Sequence, residues 1–245
     1  MKNFLALLTA LGLGVLIIVS LGNNDAFPKY GEADPLSGVS ERYLNRGETS
    51  LEFGQEAPEG ESGTANIITS IVADYRSFDT LGEVTVLFVA SLGVALLLGG
   101  YKQKRLELEF RPNFMLKVGS KAVFGIILMT GVYVTIHGHL TPGGGFPGGA
   151  MIASSMLLLY LADDSFRAKI KGFKMLESAA GSLYVIIGIV GLFTADYFLV
   201  NFLNNGVIGE LFSAGIIPIV YVLIGLKVGS EISGVIDNFL TEEAV

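Results

Sequence analysis

Apolar runs of 15 to 19 residues alternate along the chain with shorter polar or basic stretches, and six such runs cover residues 4–21, 84–100, 118–136, 148–162, 178–194 and 211–228. As a helix, residues 118–136 would reach roughly 28 Å at about 1.5 Å per residue, close to the thickness of a bilayer core. Residues 148–162 would reach only about 22 Å. The pattern predicts an all-α, polytopic membrane protein with about six transmembrane helices. The first run follows Lys2 and outlasts the usual signal core of roughly 7–15 residues, and Ser20-Leu21-Gly22-Asn23 lacks a clean small-x-small cleavage site. It is therefore expected to stay as an anchor.

Residues 23–63 break the pattern. Nine carboxylates stand there against Lys29, Arg42 and Arg46, with too few apolar side chains for a core, so this segment needs a partner to order it. In residues 65–80, Ile67, Ile68, Ile71, Val72 and Tyr75 recur at helical spacing, which predicts a helix lying against the membrane surface or a neighbouring subunit. The linkers at 101–117 and 167–174 are basic, whereas 195–210 has no Lys or Arg. With six spans, the basic linkers fall on one side, which the positive-inside rule makes cytoplasmic together with both termini.

Composition changes this picture in one respect. The mean hydropathy is +0.60 and the net charge −7, which argues against a nucleic-acid partner. No cysteine is present, so thiolate-held iron–sulfur clusters and c-type haem attachment are excluded from this chain, and no cofactor is expected in it.

Between the third and fourth runs lies HGHLTPGGGFPGG, residues 137–149, which holds both histidines. Within it, Gly143, Gly144, Gly145, Gly148 and Gly149, with two prolines, are poor helix formers and leave backbone polar groups that need partners. Two readings are open: a water-reached ion or proton site below the headgroups, or a close-packed turn that lets two helices approach. His137 can exchange protons near neutral pH, but His137 and His139 without a third ligand make a poor metal site.

Other ionisable groups fall within or beside the runs, where each is costly. Asp79 and Glu83, four apart at the start of the second run, can share a cation or a proton; helix capping is the plain alternative. Lys121 is either a proton carrier or a side chain snorkelling to the headgroups. Glu177 is a relay carboxylate beside Lys121 or an interfacial ion-pair partner. Pro218, placed mid-membrane, is expected to kink the sixth helix and free the carbonyl of Ala214. Lys227 and Glu231 read as an i,i+4 pair at the cytoplasmic end.

The segment HGHLTPGGGFPGG between two spans closely resembles the signature of the B subunit of Mrp-type multisubunit sodium/proton antiporters, and the resemblance extends over residues 117–237. Separately, ANIITSIVADYRSFDTLGEVTVLFVA, residues 65–90, resembles the C-terminal part of that family's large A subunit, which recurs as a small subunit in related respiratory complexes. Ser40-Glu41-Arg42-Tyr43-Leu44 is similar to those small subunits as well. The chain thus looks like a fusion, with residues 1–117 as a two-span unit and 118–245 as a four-span unit.

Such arrangements are familiar in archaeal membrane-bound hydrogenases and sulfane-sulfur reductases. The resemblance implies a non-catalytic membrane subunit of an antiporter module that moves Na+ and H+ within a redox-driven complex. It implies other antiporter subunits as partners, and iron–sulfur subunits elsewhere in the complex. It puts Asp79, Glu83 and His137 at motif positions, facing outward, while Lys121, Glu177 and Pro218 rest on intramembrane polarity alone. The alternative is a structural docking subunit of a plain antiporter without a redox arm. A stand-alone transporter built of internal repeats finds no support, since residues 1–117 and 118–245 show no convincing repeat.

Overall fold

A computed structural model describes residues 2–22, 54, 63–98, 103–105, 112–163, 166 and 170–243. The acidic segment expected at 23–63 lies outside them, apart from Gly54 and Gly63. Two compact units are present, Met1–Ser50 and Leu51–Val245.

The first unit contains α1, Lys2–Gly22, whose residues from Leu7 to Val19 are apolar except for Thr9 and almost wholly exposed. A helix that is apolar on all sides belongs in lipid or against another membrane helix.

The second unit contains α2 (Ile67–Ser70), a π-helical turn (Ile71–Tyr75), α3 (Ser77–Leu98), α4 (Phe114–Ile136), α5 (Gly145–Ala162), α6 (Ile170–Ala195) and α7 (Ile217–Phe239). The helices α3 to α7 are each long and apolar enough to cross a membrane. Two three-residue strands, β1 (Gln103–Arg105) and β2 (Thr241–Glu243), pair antiparallel with Lys104 opposite Glu242. Segments 63–76, 137–144 and 196–216 meet at one end, called here the loop end; β1, β2 and Asp163 mark the opposite, strand end.

Three expectations are corrected. Residues 65–80 form no continuous surface helix. Asn66 caps α2, its Oδ1 accepting from the Ile68 N–H at 3.1 Å, and Arg76, at φ −126°, separates the π turn from α3. Asp79 and Glu83 therefore sit in the first two turns of a spanning helix. The fourth span is longer than expected: Gly144, at φ 130°, ends the loop, and Pro147 falls in the first turn of α5, where its missing N–H leaves no helical bond unmade.

The third correction moves the last span by six residues at its start and eleven at its end, from 211–228 to Ile217–Phe239. Asn201 holds the preceding loop instead, donating to the Asn205 side chain (2.8 Å) and the Ala214 carbonyl (3.3 Å) while accepting from the Ile216 N–H (3.0 Å). Pro218 is consequently the second residue of α7, a favoured position, and no mid-membrane kink arises from it. The Ala214 carbonyl also accepts from Ile217 N–H at 3.1 Å, so it is not freed.

Helix α7 is the centre of this unit, packed by α3, α4, α5 and α6, and it buries Ile217, Val220, Tyr221, Ile224 and Val228. Glycine sets its approach to α5. A Cβ on Gly145 would lie 2.6 Å from Ile224 Cβ, and one on Gly149 would lie 2.8 Å from the Gly225 carbonyl oxygen. Small residues at four-residue spacing on both helices allow backbones to touch where lipid provides no hydrophobic drive. The opposite faces of α3, α4 and α6 expose Leu97, Met129 and Phe193 as surface for lipid or neighbouring helices.

Candidate functional site

At the loop end, the glycine segment is held by the chain just before α3. Asn66 donates through Nδ2 to the carbonyls of Gly138 and Thr141, both at 3.2 Å, and its N–H bonds the His139 carbonyl at 3.2 Å. Thr69 donates to Gly138 O at 2.6 Å and accepts from the Tyr221 hydroxyl on α7 at 3.1 Å. A Thr64–Ser70 hydroxyl pair lies beside them. The carbonyls of Gly138, His139 and Thr141 thus find partners within the chain, as buried backbone groups must.

The two histidines differ. His137 caps α4, stacks on Tyr133 at 4.1 Å between ring centroids, and places Nδ1 3.1 Å from the Tyr133 carbonyl. His139 is fully buried, with Nε2 3.4 Å from the Glu210 carbonyl and Nδ1 without a partner. Burial pushes its pKa below the usual imidazole range, opposed by the Glu210 carbonyl and reinforced by nearby His137. Among the described residues no group of three or more His, Asp and Glu is placed to hold a metal ion.

Asp79 pairs with Arg76 on exposed positions, and Glu83 is exposed one turn further along α3. The contacts to the glycine loop come from Asn66 and Thr69, not from these carboxylates. Asp74, in the π turn ahead of α3, is the loop-end carboxyl whose chemistry is altered: burial pushes it up to about 6. Residue spacing alone does not mark it, although a π turn next to a span is a recurrent functional feature.

Towards the strand end, the expected neighbours Lys121 and Glu177 belong to different clusters. Lys121 and Lys117, one turn apart on α4, both reach Asp163 at the end of α5, at 3.2 and 3.6 Å. Glu177 on α6 instead faces Lys227 on α7, with Nζ to Oε1 at 3.9 Å. Lys227 also pairs closely with Glu231, whose side chain is 0% exposed. The ammonium lies 4.9 Å from the Phe88 ring centroid on α3, a cation–π contact. Gly181 on α6 faces its stem, where a Cβ would make an ordinary contact with Lys227 Cδ at 3.5 Å.

Lys227 is eleventh of the 23 residues in α7, so this pair lies in the middle of a span rather than at its cytoplasmic end. The signal was present as K-x-x-x-E within an apolar helix. Placing the last span six residues too early hid its depth. A cavity of about 220 Å³ opens beside the pair, lined by Phe88 and Ser91 of α3, Glu177 and Ser178 of α6, and Ser230 and Glu231 of α7.

Comparison with known proteins agrees with this architecture. Residues 115–234 match a family model for a domain related to the MnhB subunit of the Na+/H+ antiporter, and residues 45–111 match the family model for the E subunit of MBH. Protein MJ1307 of Methanocaldococcus jannaschii is 32% identical over 69% of this chain and 74% of its own length. The B subunit of the Na+/H+ antiporter of Alkalihalophilus pseudofirmus is 37% identical over 37% of this chain and 65% of its own length. A chain in the structure of the membrane-bound sulfane sulfur reductase, an archaeal respiratory membrane complex, superposes with a TM-score of 0.75 at 42% identity, over 99% of both chains.

Proposed function

The chain belongs to the family of membrane proteins related to the MnhB subunit of the Na+/H+ antiporter, and on that premise we propose that it carries part of the sodium/proton path in an antiporter module of a multisubunit respiratory complex. The observation that carries this reading is the ion cluster of Lys227, Glu231 and Glu177 in the middle of the spans. Charges at that depth cost about 2.5–3.5 kcal/mol each on insertion scales and mark ion pathways. A subunit that only seals and docks has no need of them.

In this path the loop end faces outward. Asp79, Glu83 and His137 exchange cations with that side, and Lys121 and Glu177 connect to the cytoplasm, the former through Asp163 and the latter through Lys227. The two family matches meet between residues 111 and 115, which supports a fusion with its boundary near 117. The module's partners are other antiporter-type membrane subunits, with iron–sulfur proteins of a hydrogenase or sulfur-reductase arm supplying the driving energy. The docking reading draws on a separate observation, the glycine loop whose carbonyls bond to Asn66 and Thr69.

The test is purification of the native complex in mild detergent, with mass spectrometry of its subunits, iron assay and 22Na+ uptake after reconstitution. Antiporter-type subunits with iron and redox-driven uptake are expected. Antiporter subunits without iron would favour the plain exchanger, and a chain that purifies alone would overturn the subunit reading. Orientation is tested by single cysteines in this cysteine-free chain: Asn204→Cys should react with an impermeant maleimide from outside intact cells, and Lys104→Cys only after lysis.

A further inference from the structure

The groove between α3 and α6 is the least covered part of the second unit. Both helices pack on α7, which forms the floor between them. The cavity of about 220 Å³ opens there, walled by Phe88, Leu92 and Ala95 of α3 and Phe173 of α6, and Glu177 and Glu231 line it deeper in the span. Gly234 lies on the floor, and a Cβ on it would meet nothing within 4 Å. Among α3 to α7, α3 is the barest span, with 6% of its apolar stretch buried and with Val89, Leu92 and Leu96 uncovered.

The carboxyls in this groove are short of donors. Oε1 of Glu231 accepts from Lys227, whereas Oε2 is buried and has no hydrogen-bond partner among the described residues. Glu177 reaches the same ammonium only at 3.9 Å. A bare acceptor in such a place costs more than a made bond contributes. No cationic side chain of α3 to α7 fills the gap. Lys117 and Lys121 are engaged by Asp163, Lys171 and Lys174 are exposed near the strand end, and α3 and α5 carry no Lys or Arg. Lipid tails offer no donor, and Glu231 lies about 12 Å along α7 from its strand-end terminus, at about 1.5 Å per residue, below the headgroups.

The size and lining of the cavity select its occupant. Its volume of about 220 Å³ is below the roughly 300–1,000 Å³ of small-molecule pockets and suits one long side chain. Apolar walls fit an aliphatic stem, and two carboxyls fit a cationic head. A guanidinium fits better than a second ammonium, since its planar fork can donate to both carboxyls at once and spreads its charge beside Lys227. We propose that a membrane helix of a neighbouring subunit lies in the groove across α3 and α6, and that an arginine of that helix enters the cavity and donates to Glu231 Oε2 and to Glu177. Two cations then face two carboxyls, and the helix covers the bare faces of α3 and α6. This rests on the subunit reading above and adds where a neighbour docks and through what chemistry.

Photo-cross-linking in the assembled complex tests it. A benzophenone amino acid replaces Leu92 or Ser178 on the two walls of the groove, or Met129 on α4 as a control, and the joined peptides are sequenced by mass spectrometry. The probes at Leu92 and Ser178 should both join one membrane helix that carries an arginine within its apolar run, and the probe at Met129 should not join that helix. Glu231→Gln and the exchange of that arginine for methionine should each lower the cross-link yield about twofold or more, and the two together no further than either alone, as for residues in contact. Glu177→Gln takes the place of Glu231→Gln where the latter fails to assemble. Cross-links to lipid alone, to a helix without a cationic residue, or additive losses in the double variant would overturn the proposal. If the chain purifies without any membrane subunit, the subunit reading falls; if the complex is intact and the probes find no such helix, only this docking site falls.

Discussion

The two polar regions of the second unit solve the same problem in opposite ways. At the loop end, the carbonyls around His139 bond to side chains and N–H groups of the same chain, and His139 itself is fully buried. In the middle of the spans, two carboxylates share one ammonium, and a carboxylate oxygen is left over beside an open cavity. Satisfied polar groups rigidify a site; unsatisfied ones make it responsive. The carbonyls of the conspicuous motif are thus bonded within the chain, whereas the plain K-x-x-x-E of α7 leaves a buried carboxylate oxygen without a hydrogen-bond partner.

The sharpest way to break this contrast is Lys227→Ala. Removing one member of a buried pair typically costs about 3–5 kcal/mol, since the remaining charge is left uncompensated. Thermal stability of the complex should fall markedly. Failure to see any drop would mean the trio is solvated and the contrast is false. Next comes Gly149→Leu, whose Cβ alone would lie 2.8 Å from Gly225 O; overpacking of about 1–3 kcal/mol should separate α5 from α7, read as lost co-purification with partner subunits.

Asp74 gives a pH effect of opposite sign to ordinary surface carboxylates. Its pKa is raised from 3.8 to about 6, so the folded state holds the proton more tightly than the unfolded chain. That contribution is complete below about pH 4 and is lost as pH rises through 6, by up to about 2–3 kcal/mol. Melting curves from pH 4 to 7 should show it, and Asp74→Asn should flatten that part of the profile. Asn66→Ala removes a helix cap and two bonds to the glycine loop, for about 1–2 kcal/mol, with faster hydrogen exchange at residues 138–144. Asp79→Asn should change stability by less than about 1 kcal/mol, because its pair with Arg76 is exposed, so any loss of Na+ transport there would reflect function.

These regions were legible to different degrees. The spans could be counted from apolar run length, because a bilayer imposes one thickness on every crossing helix. Their exact frames could not be read, because helix starts here depend on contacts distant in sequence. Asn201 folds the loop before α7 and thereby puts Pro218 at the second helical position instead of mid-span. Asn66, 72 residues before Gly138, holds the glycine loop, and Arg76 interrupts the helix expected over 65–80.

Run length, glycine content and charge placement by themselves determined an all-α membrane protein, the position of its glycine segment and the absence of thiolate chemistry, since each depends on composition or on neighbours within one run. Which charges meet was decided only in three dimensions. Lys121 turned to Asp163 because α4 packs on α5, and Glu177 to Lys227 because α6 packs on α7, bringing together side chains 42 and 50 residues apart that no local spacing relates.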